Sequence, residues 1–182
     1  PIKGFFWDEG YVKQADHNEL FLKMAASAAN ISGKKLVSSE SFTWLGEHFR
    51  VPLSQAKPEA EQLFLSGVNH IFYHGSTFSP KTAPWPGWLF YASVHFAPSN
   101  SFWPHIGGLN TYITRCQSIL QGGTAANDVL VYWPIYDTWH NTEGLDKMMS
   151  VHGSREWLNS EQVKQLQDKG YAFDFVSDAL LK

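Results

Sequence analysis

The stretch KKLVSSESFTW, Lys34 to Trp44, runs an apolar segment into a glutamate set among hydroxyls. A strand entering a core has no use for a carboxylate at its end unless something there needs charge. In parallel α/β folds, catalytic groups gather at the C-terminal ends of strands. Glu40 is therefore a candidate catalytic carboxylate. Ser38, Ser39, Ser41 and Thr43 are close enough in sequence to hydrogen-bond it, and Trp44 to shield it from water. The plainer reading is a strand-end glutamate that caps a helix or pairs with an arginine. Asp8 and Glu9 close an earlier apolar run, IKGFFWDEGY. Carboxylates on neighbouring strands suit glycoside hydrolysis, which needs an acid and a base flanking one bond. Hard oxygen ligands also suit calcium. A solvated acidic loop is the alternative.

A histidine ends the run VNHIFYHG. Tyr73 and His74 alternate sides of a strand, so only one can point toward a site. His74 is either a ligand contact or a satisfied core residue. His48, His95 and His105 lie in aromatic loops and can bond hydroxyls. His70 and His74 share a strand face without the helical geometry of a zinc pair. Trp85, Trp88 and Trp103, with Phe90 and Tyr91, offer flat faces for a pyranose, although several must fill the loop's own core. The residues expected to contact a sugar are His74, Trp44, Tyr73, Trp85, Trp88 and His48. Cys116 falls on an apolar helix face and reads as a small buried hydrophobe.

These residues need elements to hold them. Ile2 to Tyr11 reads as a strand and its exit loop. A helix capped by Asp16 or Asn18 follows, with Leu20, Met24, Ala28 and Ile31 on one face and Gly33 after its end. Lys35 to Ser41 is the next strand. Ser54 caps a second helix with Pro58 near its first turn, Leu63 inside and Gly67 as its stop. Val68 to Gly75 is a strand, and a long aromatic loop runs from Ser76 to about His105. GLNTYITRCQSILQGG is a helix lined by Leu109, Ile113, Cys116 and Leu120. Short helix-to-strand connections argue for a parallel sheet. A second unit begins at Asp128 with the buried strand DVLVYWPIYD. A polar loop from His140 to Glu143, a helix capped by Asn159 or Ser160, and a strand and turn in YAFDFVSDALL complete it. Two strands bury too little for a doubly wound sheet, so the unit is expected to continue beyond Lys182.

Composition narrows the function. With 43% hydrophobic and 17% charged residues in 182, the chain can bury a core. A net charge of −3 and scattered basic residues argue against a nucleic-acid partner. No apolar run reaches the roughly 20 residues of a membrane span. One cysteine excludes an internal disulfide and a multi-cysteine metal site. The chain opens on Pro1 without an initiator methionine or a signal peptide, and reads as a segment whose partner is the remainder of its own polypeptide.

The blocks ASAANISGKKLVSSESFTWLGEHF, GVNHIFYHGSTFSP, PGWLFYASVHFAPSNSFW, LNTYITRCQSILQGG and DVLVYWPIYDTW, in that order, resemble the α-L-rhamnosidases of glycoside hydrolase family 106. The resemblance covers Ala25 to about Trp139. It implies large, exported, mostly bacterial enzymes with a (β/α)8 TIM-type barrel, an inverting mechanism and a calcium ion that binds sugar hydroxyls. It implies that residues 1–125 are the C-terminal part of the barrel, and that 126–182 begin an amidotransferase-like (flavodoxin-like) α/β domain. Glu40 then matches the general base, and Glu9, ahead of Asp8, a calcium ligand. The general acid would lie before Pro1, so the segment alone should be inactive. The implied activity removes terminal rhamnose from plant-type polysaccharides or glycosides, in the periplasm or outside the cell. The alternatives are another barrel glycosidase, β-galactosidase-like, in which Glu40 is a nucleophile, and a non-catalytic carbohydrate-binding protein.

Overall fold

A computed structural model of the chain describes residues 2–3, 19–44, 48–140 and 161–181. Three short strands form one parallel sheet in the order β1 (Ile2–Lys3), β2 (Ser38–Ser41), β3 (His70–Tyr73). Helix α1 (Glu19–Ile31) joins the first two strands, and α2 (Leu53–Leu65) joins the second pair. After β3 the chain runs without helix or strand to a 3₁₀ turn at Trp103–His105, which leads into α3 (Ile106–Gly122). A second parallel sheet pairs β4 (Val129–Tyr132) with β5 (Phe173–Val176). Between them lie α4 (Ile135–His140) and α5 (Glu161–Asp168). The α/β class and the parallel pairing agree with the sequence reading.

Alternation along β2 and β3 explains where the first core sits. Ser39, Ser41 and Ile71 are buried, while Ser38, Glu40 and His70 are half-buried and Phe72 is exposed. The register sets Ser38 beside His70 and Glu40 beside Phe72, and paired residues of parallel strands project to the same side. The buried side packs on Ala26 and Ala29 of α1, Ala56, Ala60 and Leu63 of α2, and Leu109 and Ile113 of α3. The Glu40 side carries none of this packing.

Helix α1 seats itself through small residues. Ala26, Ser27 and Ala29 are buried, whereas Ala28, expected on the inner face, is exposed. Small side chains let the helix approach the turn at Gly67, where an added Cβ would come within 2.6 Å of the Ala26 Cβ. Gly67 also has φ +93°, a conformation that favours glycine. Both sheets use this helix. Leu20 and Met24 pack with Phe173 and Phe175 of the second sheet and with Val163 of α5. The Phe175 amide donates to the Ser27 hydroxyl at 2.9 Å, and Asn30 donates to Asp174 at 3.1 Å.

Several sequence expectations are corrected. Helix α2 starts at Leu53, with Pro52 rather than Ser54 at its N-cap and no capping side chain. Pro58 lies inside the helix rather than near its first turn. β4 ends at Tyr132, with one further ladder bond from the Trp133 amide to the Val176 carbonyl at 2.8 Å, and Ile135–His140 is helical where a strand to Asp137 was expected. Pro134 accounts for this, because it has no N–H for a ladder and suits a helix start. β4 is also less buried than its sequence suggests, with Leu130 and Tyr132 exposed. Cys116 is half-buried and Leu120 is exposed, so only Leu109 and Ile113 of the expected α3 face are buried. The caps expected at Asp16 or Asn18 and at Asn159 or Ser160, and the loop from Asn141 to Glu143, lie outside the described residues.

Candidate active site

Glu40 stands at the C-terminal end of β2, on the side of the sheet away from the packed faces of α1, α2 and α3. Its hydroxyl neighbours do not hold it. Ser38 pairs with the His70 ring at 3.0 Å, and Thr43 with the His74 ring at 3.0 Å. The Ser39 hydroxyl donates to the Glu40 carbonyl, and the Ser41 hydroxyl to the Ser39 carbonyl. Among the described residues, none hydrogen-bonds the Glu40 carboxylate. The expected hydroxyl cage fails because alternation sends Ser39 and Ser41 to the buried side. Ser38, on the correct side, is engaged by His70.

His74 extends β3 by one ladder bond, its amide donating to the Ser41 carbonyl at 2.8 Å. Strand alternation places it on the side of Phe72, the register partner of Glu40. Its ring meets Phe90 edge-on at 4.9 Å. Tyr73 takes the opposite side. It packs on Phe42 and Phe96, and its hydroxyl donates to Asn110 at 2.8 Å. Burial pushes its phenol up to about 12. Trp44 is buried, edge-on to Phe42, and belongs to the same core.

The turn after β2 directs these choices. Phe42 has φ +67° and is 1% exposed, packed on Trp44, Tyr73 and Phe96. A left-handed phenylalanine is uncommon, and the turn it makes breaks the alternation of the strand. Phe42 thus enters the core beside Tyr73 instead of following Glu40 to the other side.

The loop after β3 folds back on the strand end. Gly75 donates to the Ser93 hydroxyl at 2.8 Å, and Phe96 donates to the Gly75 carbonyl at 3.1 Å. The peptide between His74 and Gly75 is cis. His95 is buried rather than a loop group facing ligand. It shares a hydrogen bond of 2.7 Å with His48 and stacks on Phe49. Burial, then the neighbouring His48, lowers the His95 pKa, against an opposing hydrogen bond to the Phe90 backbone. Phe49 in turn meets Trp85 at 6.0 Å. A column of rings therefore ties exposed Trp85 to a buried imidazole. Trp88 is exposed and lies edge-on to Phe78.

The structure thus brings Glu40 and His74 to one side of the sheet, and links His48 to Trp85 through His95 and Phe49. Tyr73 and Trp44 point into the core. Asp8 and Glu9 lie outside the described residues. Among the described residues, no group of three or more His, Cys, Asp or Glu side chains could hold a metal. A groove of about 830 Å³ opens at the other end of the strands, lined by residues including Val37, Asn69, Asn30 and Phe173, and its lining includes neither Glu40 nor His74. Sequence reasoning missed the pairing of Thr43 with His74. The signal that could have found it, a left-handed Phe42, is a tertiary feature.

A carboxylate on the sheet face away from the packed helices, a histidine on the same side and exposed indoles on the following loop suit a carbohydrate-active hydrolase. The chain belongs to a glycoside hydrolase family, the alpha-L-rhamnosidase family 106, whose model matches residues 2–182. It is also similar to a Formosa agariphila protein provisionally named a beta-glucuronidase, with 30% identity over 111 residues. That alignment covers 60% of this chain and 9% of the relative, so the chain spans a small part of the relative's length. No solved structure matches it. Among the described residues, no helix is long and apolar enough to cross a membrane.

Proposed function

We propose that this chain carries the water-activating base of an inverting α-L-rhamnosidase, and that Glu40 is that base. Membership of family 106 over residues 2–182 carries the reading. The position of Glu40, at a parallel strand end on the side of its sheet away from the packed helices, supports it. The first sheet with its helices is the C-terminal part of a (β/α)8 barrel, residues 1–125, and the second sheet begins an amidotransferase-like α/β domain, residues 126–182. The enzyme acts on terminal rhamnose of polysaccharides or glycosides, in the periplasm or outside the cell.

In this reading Glu40, ionised, takes a proton from a water held between its carboxylate and the anomeric carbon. The water attacks from the face opposite the leaving group. A second carboxyl, roughly 6.5–9.5 Å away, protonates the leaving oxygen. That acid is supplied by the rest of the polypeptide, so the chain alone is inactive. His74 bonds a sugar oxygen, while Trp85, Trp88 and His48 flank the glycan. In this reading Glu9 and Asp8 would hold a calcium ion, which would supply binding to sugar hydroxyls.

The name of the Formosa agariphila relative favours a second reading, a barrel glycosidase that acts on a β-glucuronide. One experiment separates the two. The full-length polypeptide that carries this sequence is given an aryl α-L-rhamnoside and an aryl β-glucuronide, and the first-formed sugar is followed by proton NMR. Hydrolysis of the rhamnoside with inverted anomeric configuration is expected. A retained anomer would refute the base role of Glu40, and turnover of the glucuronide alone would refute the substrate.

A further inference from the structure

We infer that Thr43 is a positioning residue for His74, and that it fixes His74 as the tautomer with its proton on Nε2, a hydrogen-bond donor to a sugar oxygen. The inference rests on the proposed reading of His74 as a sugar contact. It starts from the turn at Phe42. That left-handed residue sends its own ring into the core and leaves the next residue, Thr43, under the end of β3. Thr43 is 4% exposed. Its Oγ1 lies 3.0 Å from the Nδ1 of His74.

The direction of this bond follows from satisfaction of buried donors. A hydroxyl has one proton to give, and a buried donor without an acceptor costs about 1–3 kcal/mol. Among the described residues, His74 is the polar partner of the Thr43 hydroxyl. If His74 donated from Nδ1, the Thr43 proton would be stranded. Thr43 therefore donates to Nδ1, and neutral His74 carries its own proton on Nε2. Phe90 walls the ring edge-on at 4.9 Å, and the ladder bond from the His74 amide to Ser41 fixes the backbone. Ring plane, tautomer and backbone are all held, which is how a polar group is prepared for one ligand atom.

The test uses the full-length polypeptide and an aryl α-L-rhamnoside. Thr43→Val keeps the shape and removes the proton. It should lower kcat/KM about tenfold, the scale of one positioned hydrogen bond. Thr43→Ser restores the hydroxyl and should stay within about threefold of the parent. On a His74→Ala background, Thr43→Val should add nothing, since it acts only through that ring. Full additivity, or a Thr43→Val variant that matches the parent while His74→Ala loses tenfold or more, would overturn the inference. If His74→Ala itself costs nothing, the sugar-contact reading fails instead. The tautomer is read independently from ¹⁵N shifts of histidine-labelled protein at pH 8, with His74→Gln for assignment. A protonated Nε2 supports the inference, and a protonated Nδ1 overturns it.

Discussion

Phe42 decides which side chains face the site. A benzyl group at φ +67° is held only where packing overdetermines it, at a cost of order 1–3 kcal/mol. Here three aromatic neighbours do so, Trp44, Tyr73 and Phe96. Phe42→Ala should therefore destabilise this region by about 3–5 kcal/mol, the range for emptying a buried phenylalanine site. Hydrogen exchange of the β2 and β3 amides in the full-length protein would measure the loss. A change below 1 kcal/mol would mean that the ring is dispensable to the turn. At this scale the sequence was informative about chemistry and poor about direction. Glu40 and His74 stand out by type and by position at strand ends. That Tyr73 and Trp44 turn inward follows from alternation and from the Phe42 turn. The first is legible only once the register is known, and the second only in three dimensions.

Helix α2 offers a titration at the scale of one element. Glu59 is half-buried, and burial pushes its carboxyl from the ordinary 4.5 up to about 7. A carboxyl raised on folding binds more protons in the folded state between those values, so stability falls as pH rises from 4.5 to 7 and is flat above. Glu59→Gln should remove that slope. At pH 8 it should stabilise the helix by about 1–2 kcal/mol, less than the full shift because the group keeps part of its water. Hydrogen exchange of α2 at pH 5 and pH 8 would show it, and equal protection in parent and variant at both pH values would contradict it. The same helix is tied to α3, where Tyr112 donates to Glu61 at 2.7 Å and Lys57 both pairs with Glu61 and lies over the Tyr112 ring. Elements were legible where periodicity and glycine stops were strong, as at Gly33 and Gly67. They were misread where a proline changed the backbone choice, at Pro52 and Pro134.

Across the whole molecule, α1 is the shared part. One of its faces builds the sheet that carries Glu40, and another supports the second sheet through Leu20, Met24 and Ser27. The sequence shows two strand–helix–strand units but not that one helix serves both, because Ala26, Ser27 and Ala29 are too small to announce a face by hydrophobicity. What this scaffold holds up is one carboxylate on the side of its sheet away from α1, α2 and α3, within a family of glycoside hydrolases. The most direct test is Glu40→Gln in the full-length polypeptide. Its kcat on an aryl α-L-rhamnoside should fall by about 10³-fold or more, the scale expected for loss of an essential acid–base group. KM should be little changed, and hydrogen-exchange protection of β2 and β3 intact. Turnover within tenfold of the parent, in a protein with that protection intact, would contradict the assignment of Glu40 as the base.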